Sequence, residues 1–451
     1  MPFTSDKTRQ GAAGVSTDFT IPYSCKFDGS SSRLNFTAGT PTNALIYTWS
    51  FWAKRGNLGS YQQIFAAGPV AGGGDTIRFS SNDKLYINFN DGNSGQLETT
   101  AVFRDTSAWY HIVFAVDTTQ STDTNRVKVY VNGVQHTSFS TSTIPAEDYD
   151  TPAFNTSGKT FNIGRGHPDE HYFDGCLAEF HFIDGTQLTP SSFGEAGDYG
   201  EWKAKEVEGL TYGNNGFYLD FADAADLGDD ESGNTNDFTE TNIAAADQML
   251  DTPTNNFATL NPLDPESGQT LSEGNLKTVM PDNKNSIANM FVSSGKWYWE
   301  VKETNVGGAA IFSESLAMAG AGSGNQNGNA GNYDFSSLHG TIYYNTSTDT
   351  TPSTGSDGDI VGVALDLDNN KIYWHVNGTY ISLSGGQQNP TTAANPIVIT
   401  QTTEAFAPTI SAFSTDPSFT ANFGQDSSFA GAETAQGNGG AGEDFYYTPP
   451  T

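Results

Sequence analysis

Along most of the chain, apolar and polar residues alternate one by one in short runs that end at Gly, Asn, Asp, Ser or Thr. Alternation of this kind marks strands with one buried face, and no stretch keeps the helical period, so the pattern predicts an all-β protein. Strands are expected at residues 24–27, 47–55, 76–79, 84–89, 110–117, 126–131, 159–164 and 174–183. In the segment from Arg126 to Gly133, Val127, Val129 and Val131 share a face, and Asn132-Gly133 supplies the two positive-φ residues of a tight hairpin. The device returns between Lys371 and Gly378, where Ile372, Trp374 and Val376 share a face and Asn377-Gly378 closes the turn. Two antiparallel sandwiches of similar plan account for both.

The expected organisation is an N-terminal arm (1–19), a first sandwich (20–194), an acidic connector with a strand pair (195–254), a second sandwich (255–425) and a Gly-rich C-terminal tail (426–451). Within the connector, 216–221 reads as a strand and 229–234 as a turn. The stretches 307–332 and 345–358 are too polar and Gly-rich to order themselves, and read as loops. The last residues, Phe445-Tyr446-Tyr447-Thr448-Pro449-Pro450, read as an exposed tail or a docking peptide.

Charge changes the picture. The 451 residues carry 52 acidic and 20 basic side chains, a net charge of −32, yet only 16% are charged and 36% are hydrophobic, which is the composition of a folding chain. Residues 1–194 hold 13 basic and 18 acidic side chains (−5), 195–254 hold 2 and 15 (−13), and 255–451 hold 5 and 19 (−14). The last arginine is Arg165. Nucleic-acid binding, which needs clustered Lys and Arg, is not expected. Neither a signal segment nor an apolar run long enough to span a membrane is present, so synthesis in the cytoplasm without membrane insertion is expected. Cys25 and Cys176 share the alternation phase of Phe27 and Phe180, so both are expected to face the core. Free buried thiols are favoured over a bridge.

The segments Phe27-Asp28-Gly29, Trp49 to Arg55, Trp109-Tyr110-His111-Ile112-Val113, Asn162-Ile163-Gly164-Arg165 and Phe173 to Phe180 resemble the laminin-G and concanavalin-A-like lectin and glucanase superfamily. Gly295-Lys296-Trp297-Tyr298-Trp299-Glu300-Val301, Asp359 to Asp368, the Trp374 hairpin, Ala407-Pro408-Thr409-Ile410 and Ala421-Asn422-Phe423-Gly424 resemble a SPRY domain. The fold class expected is therefore all-β, a concanavalin-A-like jelly roll followed by a SPRY-like sandwich. The opening and closing strands of the first fold are neighbours, which the resemblance implies would bring the two thiols close. The pairing of domains resembles virion-associated proteins of tailed phages, particularly marine ones. It implies a virion surface protein with other virion proteins as partners.

Candidate chemistry is sparse. Glucanases of this fold resemble one another in a Glu-x-Asp-x-x-Glu strand, and no such run occurs here; Glu147-Asp148-Tyr149-Asp150 and Asp169-Glu170 place neighbouring carboxylates on opposite faces. His167-Pro168-Asp169-Glu170-His171 has two histidines at helical spacing, but Pro168 and the flanking glycines make it a loop. Surface-ligand contacts are expected from His167, Asp169, Glu170 and His171, and from Asn325 and Asn327 in the long loop. Calcium takes oxygen ligands, and the better candidate is the acidic turn with Asp229, Asp230, Asn234 and Asp237, a solvated turn being the other reading. Relatives of the first domain often carry Asp where Ala178 stands. Asp366-Leu367-Asp368-Asn369-Asn370 lacks the Gly and Glu of a calcium loop, and Ser157-Gly158-Lys159-Thr160 has no opening Gly or following helix for a phosphate loop. Trp297, Trp299 and Trp374 are expected in the core.

The function expected is non-enzymatic. The first reading is a tail fibre, spike or appendage module that binds a host-surface glycan or protein, as a homo-oligomer, with a trimer expected, in which copies add avidity. The second is a capsid decoration or connector that binds only other virion proteins. A polysaccharide-degrading glucanase ranks third.

Overall fold

A computed structural model describes residues 19–68, 74–166, 171–263, 268–281, 284–305, 312–318, 332–336, 340–344, 347–351, 355–401, 403–412 and 417–451. The chain divides between Asn256 and Phe257 into two compact units. Both are built from antiparallel sheets, as the alternation requires.

In the first unit one sheet runs Val134–His136, Val127–Val131, Trp109–Asp117, Ile46–Arg55, Asp174–Asp184, Ser24–Asp28, Gln248–Met249, with Phe217–Leu219 also paired to Asp174–Asp184. The other runs Phe139–Thr143, Gly95–Thr99, Leu85–Phe89, Asp75–Phe79, Gln62–Ala67, Thr160–Ile163, Arg33–Thr37, Thr239–Thr241. Between them lies an aromatic core in which Trp49 stacks on Phe182 at 4.0 Å and Phe51 on Phe180 at 4.9 Å. Each such side chain withdrawn from water stabilises the fold by roughly 1.5–3 kcal/mol.

Residues 195–254, expected as a connector, lie within this unit. Gly194–Ala196 and Trp202–Ala204 pair with each other. Beyond them, Phe217–Leu219, Thr239–Thr241 and Gln248–Met249 add strands to the two main sheets. The physical reason is a minority of apolar side chains, Phe217, Leu219, Phe221, Leu227, Phe238 and Ile243, all buried in the central core. Segment charge does not reveal that anchoring.

The two thiols do not both face the core. Cys25 sits opposite Leu177, and Cys176 sits opposite Lys26. A register shift between Ala178 and His181, with Glu179 at φ 49°, inserts a bulge that returns Phe180 to the core phase. Cys176 therefore lies on the outer face of the sheet and Cys25 on the inner, both buried and free. Two residues that share a phase in the sequence are separated by one extra residue in the strand.

In the second unit, one sheet runs Thr270–Ser272, Lys277–Val279, Ser418–Asn422, Lys296–Asn305, Ile360–Asp366, Lys371–Val376, Thr379–Tyr380, with Ile397–Val398 against Lys371–Val376. The other runs Lys284–Ile287, Phe406–Ala412, Phe312–Met318, Tyr333–Ser336, Thr341–Tyr344, Ser347–Thr350. The register aligns Trp299, Val363 and Trp374 in one buried row and Tyr298, Ala364 and Tyr373 in the row facing the other way. Trp297, at the strand end, is half-buried and gives its indole N–H to the Ser294 carbonyl at 2.7 Å.

The C-terminal stretch packs on its own unit rather than hanging free. Phe445 is buried against Tyr298, Ala364 and Tyr373. Upstream, Asp426 accepts from the amides of Ser428 and Ala430, and Asp444 from those of Ser427 and Gly437, so short polar side chains fold a Gly-rich segment that has few apolar contacts of its own.

Candidate functional site on an open sheet face

The two sheets of the first unit differ on their outer faces. Ile46–Arg55 is buried at nearly every position and Asp174–Asp184 at all of them, whereas Asp75–Phe79 and Gly95–Thr99 alternate buried with half-exposed. The first sheet is sheathed by chain that follows its closing strand. Val113, Tyr130 and Ile183 on the sheet pack with Phe193, Leu188, Val207, Leu210 and Tyr212 in a second apolar layer. Beneath that cover lie polar groups in fixed arrangements. The Lys54 ammonium donates to Asp251 at 2.6 Å and to Asn256 at 2.8 Å, and Trp109 Nε1 donates to the other Asp251 oxygen at 3.1 Å. Trp202 Nε1 donates to His111 Nδ1 at 2.9 Å, which leaves His111 Nε2 protonated toward Ser50 Oγ at 2.9 Å; burial holds this imidazole down to about 3.

On the second sheet the inward residues are Ile77, Phe79, Leu85, Ile87, Phe89 and Leu97, and the register places Thr76, Arg78, Tyr86, Asn88, Gln96 and Glu98 on the opposite face. This face is a band of hydroxyls, amides and two tyrosines. Thr76 Oγ1 donates to Asn88 Oδ1 at 3.0 Å. Glu98 is engaged by Lys84 at 3.5 Å and by Ser140 Oγ at 2.7 Å. The Arg78 guanidinium carbon sits 4.6 Å from the Tyr61 ring centre and 4.4 Å from that of Tyr86. Tyr61 is 40% exposed. Aromatic rings beside amides and hydroxyls on a half-exposed sheet are suited to sugars, whose C–H faces stack on rings and whose hydroxyls both donate and accept.

Of the residues expected to bind ligand, His171 lies beside this band. Its ring centre is 4.9 Å from that of Tyr61, at φ 61°, and its carbonyl accepts from the Gln63 amide at 2.8 Å. His167, Asp169, Glu170, Asn325 and Asn327 lie outside the described residues. In the acidic turn, Asp230 is buried and accepts from the Tyr218, Ser232 and Asn236 amides, and Asp237 accepts from the Asp230 amide at 3.2 Å. Asn234 turns its amide N–H toward the Gly213 and Gly216 carbonyls. These side chains hold the turn; among the described residues, Asp229 included, no three His, Cys, Asp or Glu side chains cluster as metal ligands. Tyr61, Arg78 and Tyr86 went unremarked in the sequence, although the polar phase of 76–79 and 85–89 contains two of them.

The second unit also sheathes one sheet. Glu300, on the row facing away from Trp299, accepts the Tyr446 and Tyr447 amides at 2.9 and 2.8 Å, Tyr298 Oη at 2.9 Å and Asn422 Nδ2 at 3.2 Å. His375 Nδ1 accepts the Gly378 amide at 3.1 Å, so its Nε2 carries the proton to Tyr298 Oη at 2.7 Å. Burial holds this imidazole down to about 3 and raises Glu300 to about 7 against its four donors. Gly362 makes the arrangement possible, since a Cβ there would stand 2.0 Å from His375 Nε2. A cavity of about 230 Å³ remains between sheet and C-terminus, lined by Tyr298, Tyr373, Pro390, Phe445 and Pro450.

Residues 28–191 match the family model of the concanavalin A-like lectin/glucanases superfamily, and residues 296–426 match that of the SPRY domain. The chain thus carries one domain of each kind, both of them binding types. No curated protein sequence matches it. Among solved structures it is similar to the SPRY domain of human HERC1 (14% identity, 36% of this chain and 96% of that one, TM-score 0.29). It is also similar to a heptameric SAP-like pentraxin from Limulus polyphemus (17% identity, 38% of this chain and 80% of that one, TM-score 0.29). Among the described residues no helix is long and apolar enough to cross a membrane.

Proposed function

We propose that this chain is a non-enzymatic glycan-binding module carried on the surface of a tailed-phage particle, and that the open sheet of its first domain is the binding face. The observation that carries the reading is the half-exposed band of Thr76, Arg78, Tyr86, Gln96 and Glu98, with Tyr61 at its edge, on a sheet whose partner has its central strands sheathed. A glycosidase needs two carboxylates flanking the scissile bond. Among the described outward residues of these eight strands the carboxylate is Glu98, and it is paired with Lys84. The virion setting rests on the pairing of the two domains read from the sequence, and oligomerisation would add avidity to weak single-site sugar contacts.

A glycan array with the purified full chain, with and without calcium, tests the binding function. Retention of a defined glycan class, weakened by Tyr86→Ala, is the expected result. Failure to retain any glycan in either condition, while the protein still attaches to particles, would favour the capsid-decoration reading. Immunogold labelling of intact particles distinguishes tail from capsid.

A further inference from the structure

The arginine at the centre of the open face differs from others in the chain. Arg55 and Arg104 both reach Asp83, at 3.1 and 2.8 Å, and Arg126 reaches Glu147 at 3.8 Å. Among the described residues Arg78 has no such partner. Among the described residues no carboxylate or carbonyl accepts from its guanidinium, and its Nε is enclosed without a hydrogen bond. In a chain with 52 acidic and 20 basic side chains, a half-buried guanidinium that pairs with no carboxylate among the described residues is a conspicuous omission. Its neighbour Glu98 lies one strand beyond Tyr86, where Lys84 and Ser140 occupy it.

Two rings hold Arg78 in place. Tyr61 and Tyr86 stand 4.6 and 4.4 Å from its central carbon, within the range of cation–π attraction. A guanidinium is planar, and its N–H groups lie in the plane and form a fork that matches a carboxylate or sulfate. The rings fix the group and leave its N–H edge for a ligand. The register sets Arg78 directly between Gln63 and Tyr86, and Thr76 precedes it on the same strand and face, so hydroxyl and amide groups flank the fork. We infer that the open face takes an acidic polysaccharide, and that Arg78, clasped by Tyr61 and Tyr86, receives the carboxylate or sulfate of one sugar unit.

This assignment rests on the glycan-binding reading, and the test separates the two. The full chain is titrated calorimetrically with three probes at high ionic strength: a galacturonate oligosaccharide, the same oligosaccharide with its carboxyls methyl-esterified, and a sulfated galactan fragment. The wild type is expected to bind one of the charged probes at least about tenfold more tightly than the ester, the worth of one charge-assisted fork. Arg78→Gln should bring that probe down to the level of the ester, and Arg78→Lys should retain part of the preference, having charge without the fork. Tyr61→Ala, which frees one face of the guanidinium at an exposed position, should weaken the preference without altering the melting temperature. Which charged probe gains identifies the anion. Equal affinity of the wild type for charged probes and ester, or an undiminished preference in Arg78→Gln, overturns the assignment while the glycan-binding reading stands. If the ester and both charged probes fail to bind, and the array is blank, both fall.

Discussion

The two outer faces of the first sandwich are made from the same alternating pattern but meet different fates. On one sheet the outward phase is covered by residues after Ile183, and strands Ile46–Arg55 and Asp174–Asp184 lose their alternation of exposure. On the other, Asp75–Phe79 and Gly95–Thr99 keep it. The covered face contains polar groups that are paired to one another, Lys54 with Asp251 and His111 with Trp202. The open face contains polar groups with capacity to spare. A buried polar group must be satisfied internally, whereas an exposed one is free to serve a ligand. The same substitution should therefore cost stability on one face and binding on the other.

The largest effect is expected at the covered face. Asp251→Ala would take the paired carboxylate away from the buried Lys54 ammonium, a loss of about 3–5 kcal/mol. Denaturant unfolding followed by tryptophan fluorescence reads it, and a loss below about 1 kcal/mol would show that water reaches the pair.

The sheathed face of the second unit should respond next. Gly362→Ala drives a methyl into the His375 ring, an overpacking that costs about 1–3 kcal/mol and breaks the His375–Tyr298 contact.

Glu300→Gln sharpens the comparison through pH. Burial raises Glu300 to about 7 from an ordinary value of 4.5, so the folded unit retains a proton that the unfolded chain has already released. Its contribution to stability is complete below 4.5 and is lost as pH rises through about 7. The difference in stability between wild type and Glu300→Gln should therefore fall over that window, by about 3 kcal/mol at most, while His375 stays neutral in both proteins. Unfolding curves at a series of pH values measure it; a difference that rises with pH would mean that the four hydrogen bonds to the carboxylate outweigh its burial.

The smallest effect is expected on the open face, where Gln96→Ala should stay within about 0.5 kcal/mol of wild type in thermal unfolding. A larger cost would mean that this face, too, is covered.

The hairpins show how far sequence reasoning reaches. Val-Asn-Gly occurs in both units, and both turns form with Asn132 at φ 48° and Asn377 at φ 49°. Asn132 and Asn377 each also accept a backbone amide from the adjoining strand, from His111 and from Ile360. The two turns are local events, and the positive-φ preference of Asn-Gly decides them. What covers each glycine was not legible. Trp202 lies over Gly133 and Tyr447 over Gly378, contributed by segments far along the chain. The candidate site divides in the same way. The polar phase that includes Arg78 and Tyr86 is visible in the alternation, but their adjacency follows from the pairing of Asp75–Phe79 with Leu85–Phe89, and Tyr61 joins them from outside any strand.

Period-two alternation and Asn-Gly turns by themselves determined that this chain is all-β and where most of its strands lie, because both act over a few residues and depend on side-chain geometry. The tertiary structure alone decided which sheet faces remain open. A cover is chosen by apolar residues distant in the chain, such as Phe193, Leu210 and Phe445, and one extra residue at Glu179 was enough to carry Cys176 to the opposite face from Cys25. Burial sums contributions from the whole chain, and no local pattern contains that sum.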